Sequence, residues 1–594
     1  MTHARSVSIC RSDAQFLDED SAVLFDARRG EWLYFSHPAQ VLAAYTPDAV
    51  LPTLAAVERQ VAAGRGTAVG FVAYEAAPAF DPALQVRTDA EFPLVWFGLY
   101  SEPTAFDFPP PSAADAPPLA WTATVSNTEY RQAVARIKHY IAQGDTYQVN
   151  YSYRLRASWH QPPWPFFVRL AHAQACTYGA LLRAGRWVMA CASPELFFQL
   201  EDQRLISRPM KGTVARGLLQ ADDLQQAAWL RGSEKNRAEN VMIVDMVRND
   251  MGRIAQLGSV TVRDRCTVEK YPSLWQMTST VEARSDAGLV DLLRAMFPAA
   301  SITGAPKART MQIIAELETS PRRIYTGTIG YWAPGRNALF NVAIRTVLVD
   351  LCRGVAEYGV GGGIVWDSLP ADEREECHTK ARVLAAAAPP FELLETLRWT
   401  NAEGCYLLAE HLARLADTAA YFSRPVDMVA IRQCLQEAVE PLREGAYRVR
   451  LLVARDGRPR VECQPLRPLP APYRVRLARA PVSSRDPFLY HKTTHRAVYE
   501  RALAAVPDCD DVLLWNERGE LTESTIGNLV LEHAGRLLTP PIACGVLPGI
   551  ARAQLLAERR VEEHVLRVAD LRHAARICLL NSVRGLWPAT LVDR

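Results

Sequence analysis

Residues 187–213, WVMACASPELFFQLEDQRLISRPMKGT, set two strand-like runs on either side of the polar turn Glu201-Asp202-Gln203. A hairpin centred near Gln203 puts Glu195 opposite Lys211, and directly opposed residues share a face with Cβ atoms about 5 Å apart. A slip of one residue would separate them. A buried glutamate beside a lysine can serve as an acid and nucleophile pair. The same two residues can equally form a cross-strand salt bridge, and spacing alone favours that plainer reading.

Outward from this stretch, helices and strands alternate. Ser126 and Glu129 form a capping box, S-x-x-E. The helix it opens carries Val134, Ile137 and Ile141 on one face and stops near Gly144. The strand after it alternates Tyr147, Val149, Tyr151, Tyr153 and Leu155 with Gln148, Asn150, Ser152 and Arg154. Residues 233–248 and 370–388 read as two further helices, and the mixture predicts an α+β chain. Glu239 stands early in the first, in AENVMIVDMVRND; Glu373, Glu376 and Lys380 share one face of the second. Carboxylates from two distant helices can hold Mg2+, which prefers oxygen ligands and leaves positions open for substrate. An ordinary Glu376–Lys380 surface pair explains the same spacing. The glycine-rich turns SITGAPK (301–307) and GVGGGI (359–364) can offer backbone N–H groups to carboxylates or phosphates. Arg345, in NVAIRT, can clamp a carboxylate bidentately. Each of these features is weak alone.

Length and composition narrow the class. The 594 residues allow roughly three to four core-sized units. With 49% hydrophobic and 22% charged residues the chain can bury a large core and is not disordered. Lys plus Arg number 67 against 65 acids, a net of +2, so there is no basic surplus for nucleic acid. The twelve cysteines are scattered with no CxxC pair, which argues against zinc and suits a reducing cytoplasm. The N-terminus lacks the apolar core of a signal peptide, and no apolar run reaches the ~18 residues of a membrane span. Two Pro- and Ala-rich stretches, FDFPPPSAADAPP (106–118) and AAAAPP (385–390), mark joints. They divide the chain into domains at 1–120, 121–388 and 391–594.

The motifs GDTYQVN, SPELF, SRPMKGT, AENVMIVDMVRNDMGR, ASITGAPK, YTGTIGYW, NVAIRT, GVGGGIVWDS and EREECHTKAR run in this order from about residue 129 to 384. Together they resemble the chorismate-utilising enzymes, a family of anthranilate, aminodeoxychorismate, isochorismate and salicylate synthases. Residues 1–120 resemble the less characteristic N-terminal part of the same fold. The resemblance implies an α/β sandwich with two orthogonal antiparallel sheets, Mg2+ dependence and chorismate as substrate. It makes Lys211 a nucleophile that attacks C2 of chorismate, with Glu195 the general acid for the departing C4 hydroxyl. Glu239 and Glu376 become the metal ligands. Gln148, Gly304, Ala305, Tyr325, Arg345, Gly361, Gly362 and Lys380 become substrate contacts. Isochorismate-forming relatives carry a water-activating lysine where Gln148 stands, and anthranilate synthases carry alanine where Lys211 stands, so the resemblance implies amination at C4. Two departures are Gln276, where several relatives carry histidine, and Asn236, where anthranilate synthases carry a further glutamate. No Gly-x-Cys-x-Gly glutaminase turn occurs, which implies a separate glutamine amidotransferase partner supplying ammonia.

A second set of motifs follows: FELLETLRW, HLARLADTAAYF, YHKTTHR, LTESTIGNLVL, GVLPGIAR and LLNSVRGLWP. They resemble the class IV pyridoxal-phosphate enzymes, which include transaminases and 4-amino-4-deoxychorismate lyase. The implied fold is two α/β subdomains with pyridoxal 5'-phosphate between them. By this match Lys492 attaches the cofactor and Glu523 pairs its pyridine nitrogen. Arg414, the backbone around Ile550 and Ala551, and Ser582 hold its phosphate. Ala551 departs from a threonine that donates to the phosphate in many relatives. Together the halves imply conversion of chorismate to 4-amino-4-deoxychorismate and then to 4-aminobenzoate and pyruvate. Two alternatives are an anthranilate synthase component I joined to a class IV transaminase, and an active synthase carrying a non-catalytic dimerisation module. Lys211 argues against the first. Lys492 and Glu523 argue against the second, which Ala551 leaves open.

Overall fold

The computed structural model describes residues 18–111, 119–384 and 390–592. The joint at 106–118 is therefore described only to residue 111, and the joint at 385–390 lies outside the described residues except for Pro390. Packing divides the chain into two units. One comprises Met1–Ala215 and Gln226–Ala387; the other comprises Arg216–Gln225 and Ala388–Arg594.

The first unit is built on two antiparallel sheets of ten strands each. In one, Gln148–Ser158 pairs with Val355–Ile364, followed by Thr346–Asp350, Trp187–Ser193 and Tyr178–Ala184. In the other, Met210–Ala215 pairs with Leu274–Arg284, followed by Arg204–Arg208, Leu196–Glu201 and Asn337–Asn341. Phe71, Trp96 and Leu339 from the second sheet meet Leu182, Met189 and Leu348 from the first in one buried cluster, so the sheets face each other. Helices seal the outer faces. Asn127–Ala142 begins at the expected capping box, with Ser126 and Glu129 bonded reciprocally. It buries Tyr130, Ala133, Val134 and Ile137, the i, i+3, i+4, i+7 stripe of an amphipathic helix. Val134 and Ile137 each stabilise the layer by roughly 1.5–3 kcal/mol. Glu234–Gly252 is capped by Ser233 and seats Ile243, Val244 and Val247 against the other sheet. Pro370–Ala381 forms the later helix and passes into a short 3-10 turn, Arg382–Leu384.

One local expectation is corrected. The hairpin turns between Asp202 and Gln203, pairing Glu201 with Arg204 and Gln199 with Ile206, so it is slipped by one residue from a centre on Gln203. Its second strand stops at Arg208, because Pro209 cannot donate to the ladder. Met210 then starts a new strand that carries Lys211 and pairs with Leu274–Arg284, Met210 standing opposite Thr278. Glu195 and Lys211 are therefore not partners on one hairpin. The alternating strand, Gln148–Ser158, does not turn its polar face to water: Gln148, Asn150, Ser152 and Arg154 are all buried.

The second unit holds two sheets with separate cores. The smaller is antiparallel, with Leu393–Thr400 at its centre, and the helices Leu408–Tyr421 and Met428–Val439 pack over it through Leu412, Leu415, Ile431 and Leu435. The larger has eight strands and mixed direction, Arg474–Leu477 running parallel to both Asp511–Trp515 and Gly585–Leu591. Leu521–Ser524 pairs with both Asp511–Trp515 and Asn528–His533, which closes six strands into a ring. Among the described residues no helix is long and apolar enough to cross a membrane.

Candidate active sites

A cavity of about 460 Å³ in the first unit brings together Glu195, Lys211, Glu239, Tyr325, Arg345, Gly361, Glu376 and Lys380. These come from strands, helices and the turns between them, nearly two hundred residues apart in the chain, and the two sheets supply the frame. Glu195 is buried; Ser301 Oγ donates to its Oε1 at 2.6 Å. Burial pushes its carboxyl up to about 7, against the pull of Ser301 and of Lys211. A carboxyl poised near neutrality can give up a proton on demand. The strand carrying Lys211 is fastened by three hydrogen bonds to two residues. Gln276 Nε2 donates to the Gly212 carbonyl at 2.8 Å, Thr213 Oγ1 donates to Gln276 Oε1 at 2.9 Å, and Asn240 Nδ2 donates to the Lys211 carbonyl at 3.4 Å. Gln276 was marked in the sequence only as a departure; its bonds show a positioning role that pattern alone does not reveal.

Gly363 makes room for the lysine. A β-carbon there would lie 2.1 Å from Lys211 Nζ and 3.0 Å from Gln148 Nε2. Gln148 is fully buried, and neither end of its amide has a hydrogen-bond partner among the described residues. An unsatisfied buried amide is costly, so a polar ligand beside it would be stabilised. Gly304 and Ala305 are placed differently. They form a short strand paired with Val149 and Gln148, and the nearby Ser301 and Ile302 line the cavity instead.

Cations and carboxylates share the far wall. Lys380 Nζ lies 2.6 Å from Glu376 Oε1 and donates to the Gly361 carbonyl at 2.8 Å. Arg345 Nη1 and the Tyr358 hydroxyl both donate to the Lys380 carbonyl, fixing that turn of helix. Among the described residues no three Asp, Glu, His or Cys side chains close into a metal-holding group. Glu373 Oε2 and Glu376 Oε1 nonetheless converge on Gly362, 3.1 and 3.9 Å from a β-carbon placed there. Burial, then the Glu376 charge, raises the Glu373 carboxyl. Burial also works to raise Glu376, but Lys380 holds it below the usual range. Crowded carboxylates that resist ionising together, with Glu239 on the same cavity, fit a hard divalent cation that takes few protein ligands. Glu373 is an added candidate ligand; its i, i+3 spacing from Glu376 was the available signal.

The second unit gathers its own set. Lys492 follows the 3-10 turn Pro487–Leu489, and its carbonyl accepts from Leu394 N at 3.1 Å. Burial, then the Arg414 charge, brings its amine down to about 8. Glu523 is buried and raised to about 7 by desolvation. Three donors orient it: the Tyr499 hydroxyl at 2.7 Å, Asn528 Nδ2 at 3.0 Å and Leu547 N at 3.3 Å. Arg414 is held bidentately by Glu395 at 2.9 and 2.6 Å, and donates to the Pro548 carbonyl at 2.9 Å. Burial opposes ionisation of Glu395, but Arg414 and His411 hold it down at about 2. Glu395 and His411 were not singled out in the sequence, because their role exists only through Arg414. The helix Ile550–Ala557 starts beside Pro548, its first N–H groups at Ile550 and Ala551. The Ala551 methyl packs among Val530, Val561, Cys578 and Leu580, so only its backbone is offered to a ligand. Ser582 Oγ reaches the Thr396 carbonyl at 3.5 Å. A helix N-terminus with a fixed arginine suits a phosphate, and an oriented carboxyl suits a ring nitrogen.

Residues 20–386 match the model of the chorismate binding enzymes, which is more than half of the chain. The chain belongs to the chorismate binding enzyme family. Residues 392–592 match the class IV aminotransferases. This chorismate binding enzyme is 40% identical over 294 residues to aminodeoxychorismate synthase component 1 of Klebsiella aerogenes, covering 49% of the chain and 63% of that relative. It is 37% identical over 292 residues to anthranilate synthase component 1 of Streptomyces coelicolor, covering 48% and 57%. It thus spans about three fifths of the curated relatives it matches. Anthranilate synthase component I from Streptococcus pneumoniae TIGR4 has the same fold: TM-score 0.52 at 23% identity, covering 64% of this chain and 95% of that one.

Proposed function

We propose that this chorismate binding enzyme makes 4-aminobenzoate from chorismate and ammonia in two steps, one in each unit. The observation that carries the first step is the Lys211 amine seated against Gly363 in the same cavity as the buried, near-neutral Glu195. Lys211 attacks C2 of chorismate; both ring double bonds shift, C1=C2 to C1=C6 and C5=C6 to C4=C5, and the C4 hydroxyl leaves as water with the Glu195 proton. Ammonia then adds at C4 and displaces the lysine, giving 4-amino-4-deoxychorismate. Tyr325, Arg345 and Lys380 hold the substrate carboxylates. Mg2+, when bound by Glu239, Glu376 and Glu373, would neutralise carboxylate charge at the reacting ring. The ammonia comes from a separate glutamine amidotransferase.

In the second unit, pyridoxal phosphate would be held by Arg414, the Ile550–Ala551 backbone and Ser582, with Glu523 on its ring nitrogen. The cofactor, when bound, supplies an electron sink for the substrate amine. Lys492, with an amine near neutrality, takes the C4 proton. The C3 enolpyruvyl ether then leaves as pyruvate, and aromatisation drives the step. The eleven described cysteines are free thiols, which suits a cytoplasmic setting.

The test supplies chorismate, Mg2+, pyridoxal phosphate and ammonium to the purified chain and identifies the product by chromatography. 4-Aminobenzoate with stoichiometric pyruvate is expected. Anthranilate would overturn the first step, and a stall at 4-amino-4-deoxychorismate would overturn the second.

A further inference from the structure

Arg216–Gln225 packs with the second unit, although the chain on either side belongs to the first. The segment follows the strand that carries Lys211 and precedes the helix that carries Glu239. Within the second unit it reaches the neighbour of Lys492. His491 Nε2 lies 3.0 Å from the Leu218 carbonyl oxygen. A carbonyl only accepts, so Nε2 carries the proton and Nδ1 can accept from the Thr418 hydroxyl, 3.4 Å away. The buried His491 ring stacks on Tyr421, ring centroids 4.1 Å apart.

Tyr421 is in turn held by the segment. Its hydroxyl donates to the Gly217 carbonyl at 2.9 Å, its carbonyl accepts from Arg216 Nη2 at 2.8 Å, and the Arg216 guanidinium lies 4.4 Å from its ring. Arg216 is ion-paired at 2.5 Å with Asp223, which is fully buried and also accepts from Gly217 N. Leu218 and Leu219 close over the cluster of Leu489, Tyr490 and Tyr499. Tyr499 is one of the three donors that orient Glu523. A buried ion pair, a carbonyl aimed at a histidine and an apolar seal make this segment an integral part of the second unit's core.

We infer that Arg216–Gln225 is a positioning element of the Lys492 site. It fixes the tautomer and ring plane of His491, and through the shared backbone the place from which Lys492 reaches its cofactor. The strand Leu393–Thr400 anchors the same backbone at the Lys492 carbonyl, so the lysine is held from two sides. The inference rests on the reading of Lys492 as the pyridoxal-phosphate lysine. It makes the second site dependent on a stretch of sequence that lies inside the chorismate binding match.

The test uses the full-length protein and reads the visible absorption band of lysine-bound pyridoxal phosphate, as a loading curve and as a pH titration. His491→Phe keeps the stack on Tyr421 and loses the donor to Leu218. His491→Gln restores an N–H at comparable reach. The double variant Arg216→Met/Asp223→Asn removes both buried charges, leaving neither unpaired. His491→Phe and the double variant are expected to load cofactor about tenfold more weakly, the effect of one lost buried hydrogen bond, and to move the pH midpoint of the band. His491→Gln should recover most of both. Loading and midpoint unchanged in all variants would overturn the inference alone, as would His491→Gln falling as low as His491→Phe. No band in the parent protein would overturn the cofactor reading and the inference with it.

Discussion

Gly363→Ala isolates the placement of the Lys211 amine. The added methyl would stand 2.1 Å from Lys211 Nζ, where an ordinary carbon–nitrogen contact needs about 3.5 Å. The amine must therefore retreat by about 1.4 Å. Gly363 does not sit at positive φ, so alanine brings no backbone strain. The obstructing atom is the far end of a flexible side chain, so the strand Val355–Ile364 need not move. Stability should stay within about 1 kcal/mol of the parent, since a tolerated Gly→Ala change acts mainly by stiffening the unfolded chain. Catalysis should not be spared. A misplacement of about 1 Å costs about a hundredfold, equivalent to about 2.7 kcal/mol of barrier. The assay follows ammonium-dependent consumption of chorismate with Mg2+, with excess free-standing lyase converting the product to 4-aminobenzoate. Thermal unfolding of the same samples checks the fold. Activity within about twofold of the parent at unchanged Tm would refute the placement and, with it, the nucleophilic role of Lys211.

Lys211→Ala should lower 4-amino-4-deoxychorismate formation by at least about a hundredfold or divert the reaction to anthranilate; unchanged rate and product, by chromatography, would exclude the covalent route. Lys492→Ala should show no visible cofactor band and no pyruvate release, while 4-amino-4-deoxychorismate accumulates for an added lyase to consume. Glu195 must be protonated to act, so the amination rate should fall as pH rises through about 7, and Glu195→Gln should be inactive across the range. Glu75 is likewise raised to about 7 by burial. Between its unfolded value of about 4.5 and that pH, the folded state binds more protons than the unfolded, so its contribution to stability declines as pH rises. Glu75→Gln should therefore flatten the loss of Tm between those pH values. The purified chain should turn over ammonium but not glutamine until an amidotransferase is added.

What the sequence by itself determined was local or combinatorial. The capping box at Ser126 and Glu129 and the stripe through Ile137 specify a helix, because a helix satisfies its own hydrogen bonds within four residues. The motif order pointed to the family, and the residue types at 148, 195, 211, 492 and 523 suggested the chemistry proposed for it. Tertiary structure decided how those residues meet. Pro209 broke the hairpin that was to join Glu195 with Lys211, and the two reach one cavity only because the opposing sheets frame it. Gln148, Asn150, Ser152 and Arg154 alternate with apolar residues in the sequence, yet all four are buried, Ser152 bonded to Glu318 and Arg154 to the Pro321 carbonyl. Gln276, Glu395 and Tyr499 act through neighbours distant in sequence, so no spacing rule exposes them. The excursion Arg216–Gln225 is the extreme case. Its residues look like a loop between two synthase motifs, and their place in the second unit follows from a buried ion pair and an apolar seal that exist only once both segments are folded together. Short-range periodicity is written residue by residue, whereas long-range pairing is chosen by the free energy of the whole packed core.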